Sequence, residues 1–307
     1  MVDSQSPRLV GVGSVFIDDI VLPSGQTYMA QLGGGVVHAL MGAAIWDERP
    51  GIVATVGQGL PQESINRLQQ NLDTRGLVQL NIPQIRAWQL FEEDGSRREL
   101  YRVKETIPFI RGAQPEHFPA AYAQSHGFYL LQDVDDIRQW RKTLTGTILW
   151  EPLQQIMTRE NATAIRAVLK ECHIDIISPN LIEAQAIYGD LSPDALVDGL
   201  LADGAKCVSL RMGSEGSIVA NQKGERWQIP AVKVAEIIDQ TGAGNTYCGG
   251  FLAGLIQGKS LLEAGMMAAT SASFCLEQVG VLDPTVVPMT ERDNRYNQTT
   301  LKIAISR

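Results

Sequence analysis

The residues best suited to chemistry in this chain lie in four short stretches. One is Asp239-Gln240-Thr241-Gly242-Ala243-Gly244-Asn245. Ahead of it, Val232 to Ile238 alternates apolar and polar and then runs apolar, which predicts a strand entering a core. Behind it, Tyr247, Phe251, Leu252 and Leu255 recur at helical steps. A glycine turn that opens a helix frees backbone N–H groups at the positive end of the helix dipole. It predicts an anion site, with phosphate the obvious anion. The alternative is a glycine-rich turn with no ligand. Asn245 closes the turn, and an amide cannot act as a general base.

Ser178-Pro179-Asn180-Leu181-Ile182-Glu183 is the next stretch. Asn180 can cap a helix, and an acid three residues on can complete a capping box, which is a structural role in its own right. Gly33-Gly34-Gly35 precedes an apolar helix face, Val36, Val37, Leu40, Ala43 and Ala44, and offers close backbone approach to a ligand. His38 lies within that helix, either as a donor and acceptor toward a ligand or as a core histidine with a local partner. Asp18 and Asp19 follow the end of a first strand, and by residue identity alone they read as solvated loop acids. Glu151, after Trp150, reads as a helix-start acid or as a substrate or metal-water contact.

The elements that must position these residues alternate. Arg8 to Ile20 predicts a buried strand ending near Ser14 and running on into an outlying segment; Gly51 to Gly57 predicts another, followed by a helix at Ile65, Leu68 and Leu72. Residues 85 to 103 predict a hairpin about Asp94-Gly95, outside the main sheet. Phe128 to Gln132, Ile148 to Trp150, Ile174 to Ser178 and Cys207 to Leu210 predict short buried strands with helix-length segments between them. Parallel strands with crossover helices follow, with ligands at the strands' carboxyl ends. Gly11 and Gly13 lack the third glycine of a dinucleotide fold, so an oxidoreductase has little support. Gly254 to Ser260 is one residue short of a Walker A loop, and Gly258 reads there as a helix C-cap before the helix Leu261 to Leu276.

Composition narrows the function classes. The 307 residues are 44% hydrophobic and 20% charged, as in an ordinary globular α/β chain. The net charge is -8, the pI about 5.1, and no Lys/Arg-rich run exists, so nucleic acid is not an expected partner. No run reaches the ~20 apolar residues of a membrane span and no signal-peptide core opens the chain, which makes the cytoplasm the expected location. Cys172, Cys207, Cys248 and Cys275 are far apart and read as buried free thiols. The tail from Pro284 is polar and has no assigned role.

The motifs near residues 33, 180 and 239, in that order, resemble those of the PfkB carbohydrate kinase (ribokinase-like) family, and the resemblance covers nearly the whole chain. Asp239 to Asn245 resembles that family's D-T-x-G-A-G-D signature with Asn245 in place of the last Asp, and His38 stands where the family has Asn. The resemblance implies a single α/β domain over 1–307, a mostly parallel sheet flanked by helices. Segments at about 15–30 and 85–103 would be insertions forming a small β-sheet lid, with room for a homodimer through that lid. It implies phosphoryl transfer from ATP to an alcohol group of a sugar or related small molecule. Gly242, Ala243 and Gly244 would hold the transferring group, with Asn245 at the base position. Asp18, Gly33, Gly34 and His38 would bind the acceptor. Asn180, Glu183, Gly213 and Gly216 would serve the nucleotide, Glu183 ordering Mg²⁺ through water and Asp239 placing a monovalent cation such as K⁺. Because Asn245 lacks the carboxylate, a pseudokinase that binds nucleotide or sugar and acts through a partner is the rival expectation. Within the kinase reading, Asn245→Asp is expected to restore a base and raise turnover.

Overall fold

A computed structural model of the chain describes residues 5–46, 49–93, 97–102 and 112–305, the last six of these by backbone alone. The Asp94-Gly95 turn and Val103, both part of the expected hairpin, lie outside the described residues. The large sheet is built from β1 (Leu9–Ser14), β4 (Gly51–Gln58), β5 (Asp73–Pro83), β8 (Gly127–Gln132), β9 (Thr147–Pro152), β10 (Ile176–Ile177), β11 (Cys207–Arg211), β12 (Ser217–Asn221) and β13 (Arg226–Ile229). Their order is β13-β12-β11-β10-β9-β8-β1-β4-β5. From β5 to β11 every pairing is parallel; β12 and β13 join antiparallel. Chain order reverses at β1, flanked by β8 on one side and β4 on the other, and such a switch point opens a crevice at the strands' carboxyl ends.

Helices cover both faces. On one, α1 (Gly35–Ala44), α7 (Ala243–Ile256) and α8 (Leu261–Leu276) bury Val36, Leu40, Phe251, Leu252 and Met266 in one core. On the other, α3 (Val134–Thr143), α4 (Ala162–Cys172), α5 (Leu181–Tyr188) and α6 (Pro193–Ala202) bury Trp140, Val168, Ile187 and Leu200. Two further helices are α2 (Gln62–Asn71) against β5 and α9 (Met289–Ile305) against α8. Gly11 and Gly13 serve packing: a side-chain carbon on them would stand 2.7 and 2.9 Å from Val36 of α1. No helix of the described residues is long and apolar enough to cross a membrane. The four cysteines are free and buried.

A second sheet of four strands, ordered β3-β2-β6-β7, holds β2 (Phe16–Val21), β3 (Thr27–Gly33), β6 (Arg86–Phe91) and β7 (Arg97–Tyr101). Its register slips between Asp18 and Ile20, where Ala30 takes φ 58°. Buried Asp19 fills this bulge: it accepts the Ala30 N–H at 2.8 Å and pairs with Arg86 at 2.7 Å and Arg102 at 2.6 Å. Burial alone would raise the Asp19 pKa; the bonds from Arg86, Ala30 and Arg102 bring it below the usual carboxylate range.

Two expectations are corrected. Val232 to Ile238 forms no strand. It runs as irregular chain, with Ile238 and Asp239 N–H groups donating to Leu276 O and with Ile237 and Ile238 exposed. Its alternation lacked a neighbouring strand to pair with. Glu151 starts no helix; it is a buried residue of β9.

Candidate active site

The Asp239 to Asn245 turn lies where α7 begins. Gly242 precedes the helix at φ 71°, ψ 5°, a conformation in which a β-carbon is costly, and among the described residues no side chain caps this end. Within this turn the Ala243 N–H donates to Gln240 O at 3.3 Å and the Thr246 N–H to Gly242 O at 2.8 Å, which leaves the Gly244 and Asn245 N–H groups as its open donors among the described residues. Asp239 pins the turn. Its Oδ1 accepts from the Thr241 N–H (2.8 Å) and hydroxyl (2.6 Å), and its Oδ2 from the Gly280 N–H (2.8 Å).

His38 is 2% exposed, and its ring packs where a side chain on Gly242 would project. Among the described residues neither ring nitrogen has a hydrogen-bond partner. Burial pushes its pKa down to about 3, aided by Arg97 and Arg67, so the imidazole is neutral. The expected local partner for a core histidine is absent among the described residues.

Asp18 lies against Gly33, where an added side-chain carbon would overlap its carboxylate, and accepts from Gln89 Nε2 at 3.0 Å. It is buried rather than solvated. Burial pushes its pKa up to about 7, against the Gln89 hydrogen bond. Gly34, at φ 103°, turns the chain from β3 into α1.

Asn180 and Glu183 form a capping box at the start of α5: Glu183 N–H donates to Asn180 Oδ1 at 2.9 Å and Asn180 N–H to Glu183 Oε2 at 2.8 Å. Glu183 Oε1 keeps no partner among the described residues. Burial raises the Glu183 pKa, with Arg211 opposing. The sequence reading did not single out Arg211. At the end of β11, its guanidinium lies against Gly244, stands 3.7 Å from Glu183 and pairs with Glu151 at 2.8 Å. Burial works against its charge, but the groups facing it, Glu151 foremost, outweigh this and raise its pKa. Gly213 and Gly216 follow in the turn after Arg211, at φ 59° and 88°. Tyr129 and Gln89 were also missed. An arginine closing a buried strand, in Leu210-Arg211-Met212, was the one available signal.

The structure thus joins His38 to Gly242, Asp18 to Gly33, and Gly244 through Arg211 to Glu183. Among the described residues no three His, Cys, Asp or Glu side chains converge on a metal site.

The sequence profile described as pfkB family carbohydrate kinase matches residues 152–287. Over that stretch the chain is similar to the PfkB carbohydrate kinase family. A cytidine kinase from Thermococcus kodakarensis is 27% identical, over 91% of this chain and 99% of its own length. An Arabidopsis thaliana ribokinase solved with ribose and ATP superposes with a TM-score of 0.73 at 20% identity, covering 95% of this chain and 99% of that one. An E. coli protein solved with ATP and Mg²⁺ gives 0.76 at 18%, covering 95% and 99%. The fold is ribokinase-like: a mostly parallel large sheet with flanking helices and a small second sheet.

Proposed function

We propose that this chain transfers the γ-phosphoryl group of ATP to a hydroxyl of a sugar or nucleoside. The observation that carries the reading is the uncapped start of α7 at the switch-point crevice, coupled by Arg211 to the Asn180–Glu183 pair. Phosphoryl transfer rests mainly on positioning and charge stabilisation, which N–H groups and a buried guanidinium supply. The amides of Gly242, Ala243 and Gly244 hold the transferring group, and Gly213 and Gly216 border the nucleotide. Asp18, Gly33, Gly34 and His38 meet the acceptor beside Asn245. Relatives named as kinases give the pseudokinase alternative no support.

The donor set fits a hydrated Mg²⁺ held largely by phosphates and water, because Glu183 offers one unpartnered oxygen and no protein cage surrounds it. Such an ion would neutralise phosphate charge. Asp239 commits both oxygens to the turn and the Gly280 loop, so a K⁺ in this place would be held mostly by backbone carbonyls. The second sheet acts as a cover that excludes water from the acceptor. Its outer strands expose Met29 and Leu100, which suit a homodimer through that sheet.

The test is ADP release from Mg-ATP, with and without K⁺, across cytidine, adenosine, ribose and fructose 6-phosphate, alongside calorimetry with Mg-ADP. Turnover with at least one acceptor is expected. Failure to bind Mg-ADP and to release ADP with any of them would overturn the reading.

A further inference from the structure

Asn245 heads a buried chain of polar groups. Its Nδ2 donates to the Tyr129 hydroxyl at 3.1 Å, and that hydroxyl donates to Glu151 Oε2 at 2.7 Å. Glu151 Oε1 pairs with Arg211 Nη2 at 2.8 Å, and the same nitrogen donates to Ser178 O at 2.8 Å. Tyr129 is fully buried and Glu151 nearly so. Burial, and then the Glu151 charge, hold the Tyr129 pKa well above 10, so the phenol keeps its proton.

Counting protons fixes the direction of this chain. A phenol has one O–H, and an ionised carboxylate only accepts. With its proton given to Glu151, the Tyr129 oxygen can only accept from residue 245. Residue 245 must offer a donor there, and an amide nitrogen does. Its other branch, Oδ1, is then an acceptor directed away from Tyr129. Gly35, at the start of α1, closes the space behind: a side-chain carbon there would stand 2.9 Å from Nδ2. The carboxylate missing at 245 is present one tyrosine further back.

Resting on the phosphoryl-transfer reading, we propose that Glu151 and Tyr129 are positioning residues. They lock the Asn245 amide so that Oδ1 receives the hydrogen bond of the acceptor hydroxyl. The hydroxyl oxygen then attacks the γ-phosphorus, and the bond from that phosphorus to the bridging oxygen breaks with its electron pair leaving on ADP. The amide cannot take the hydroxyl proton, which passes to an oxygen of the transferred phosphoryl group.

This lock reverses the expectation drawn from the turn alone. In Asn245→Asp, two carboxylates would face one phenolic proton, and one of them would go unpaired in a buried place. Glu151→Gln leaves the amide orientation unset. The double variant N245D/E151Q turns the whole chain around. Tyr129 then donates to the carboxylate introduced at position 245. The amide introduced at position 151 donates its N–H to the Tyr129 oxygen, and its carbonyl oxygen accepts from Arg211. The hydrogen bonds of Tyr129 and of positions 151 and 245 are then satisfied again, and Arg211 keeps Glu183, at 3.7 Å, as its carboxylate.

The experiment measures ADP release from Mg-ATP with cytidine, adenosine, ribose and fructose 6-phosphate for wild type, N245D, E151Q and the double variant. Urea midpoints are taken on all four proteins. With whichever of these acceptors the wild type uses fastest, each single variant should lose ~10-fold or more in kcat with the KM for ATP nearly unchanged, and the double variant should return to within ~3-fold of wild type. N245D turning over as fast as wild type, or losses that multiply in the double variant, would overturn the lock. If wild type releases no ADP with any acceptor, the phosphoryl-transfer reading fails, and the urea cycle still decides: midpoints that recover in the double variant support the lock, and additive midpoints refute it.

Discussion

Gly242→Ala probes the anion turn most directly, because two independent costs meet at one atom. Gly242 holds φ at 71°, where an L side chain costs ~1–2 kcal/mol. Its new methyl would also overlap the His38 ring, which is boxed in at 2% exposure and cannot swing away. Overpacking of this kind costs ~1–3 kcal/mol. The sum, about 2–5 kcal/mol, should appear as a lower urea midpoint and as weaker Mg-ADP binding in calorimetry. The two costs separate in a cycle with His38→Ala. Removing the ring breaks no hydrogen bond to the described residues, where neither nitrogen has a partner, and it clears room for the methyl. The cycle should therefore show ~1–3 kcal/mol of favourable coupling, with the backbone strain remaining in the double variant. Additive effects would mean that the ring does not support the turn. Unchanged urea midpoint and Mg-ADP affinity in Gly242→Ala itself would refute the whole argument.

Asp18 gives the chain a pH dependence. Its pKa of about 7 lies above the ordinary 3.8, so the folded state prefers the neutral acid, and stability contributed below about pH 4 is lost as pH rises toward 7. At ~1.4 kcal/mol per pH unit the full rise corresponds to about 4 kcal/mol, and Asp18→Asn should flatten the urea midpoint across that window; an unchanged slope would show that Asp18 is not the group responsible. Asp19→Asn removes the shared partner of Arg86 and Arg102 and should cost ~3 kcal/mol, since both guanidinium groups retain some water. Hydrogen exchange over Arg86–Phe91 should rise in that variant and slow in wild type when a turned-over acceptor is added; a second sheet indifferent to both would not be a cover.

The parts of the site legible in the sequence are those encoded locally. Gly242 stood out because a helix-period pattern follows it directly, and only a residue without a β-carbon takes its φ cheaply. The Asn180–Glu183 box was legible because both partners lie three residues apart and bond each other's N–H groups. Strand placement followed apolar runs for the same reason, and it failed at Val232 to Ile238, where alternation exists without a ladder. Tyr129, Glu151 and Arg211 were illegible as a unit because their meeting depends on sheet order. Leu131 pairs with Glu151 across β8 and β9, and Arg211 arrives from β11, with β10 in between. No local pattern records that adjacency.

That difference bears on how Asn245 is understood. Taken within its turn, the amide is a lost carboxylate, and the natural inference is a weakened base. Taken with its neighbours in space, it is the only one of the two side chains, Asn or Asp, that completes a chain already holding one carboxylate, one phenolic proton and one guanidinium. An Asp at 245 is compatible with Tyr129 only if residue 151 gives up its charge, and a Glu at 151 is compatible with Tyr129 only if residue 245 is a donor. The two positions are one charge decision made 94 residues apart. Arg211 sets the sign: its buried guanidinium needs a carboxylate within reach, and Glu151 meets it at 2.8 Å while Glu183 remains at 3.7 Å. Holding the carboxylate at 151 leaves Glu183 to its capping bond with Asn180, and under the proposed phosphoryl transfer it would set a neutral acceptor, Asn245 Oδ1, beside the phosphate. In that reading a neutral group would not repel the incoming γ-phosphoryl charge, as a carboxylate would.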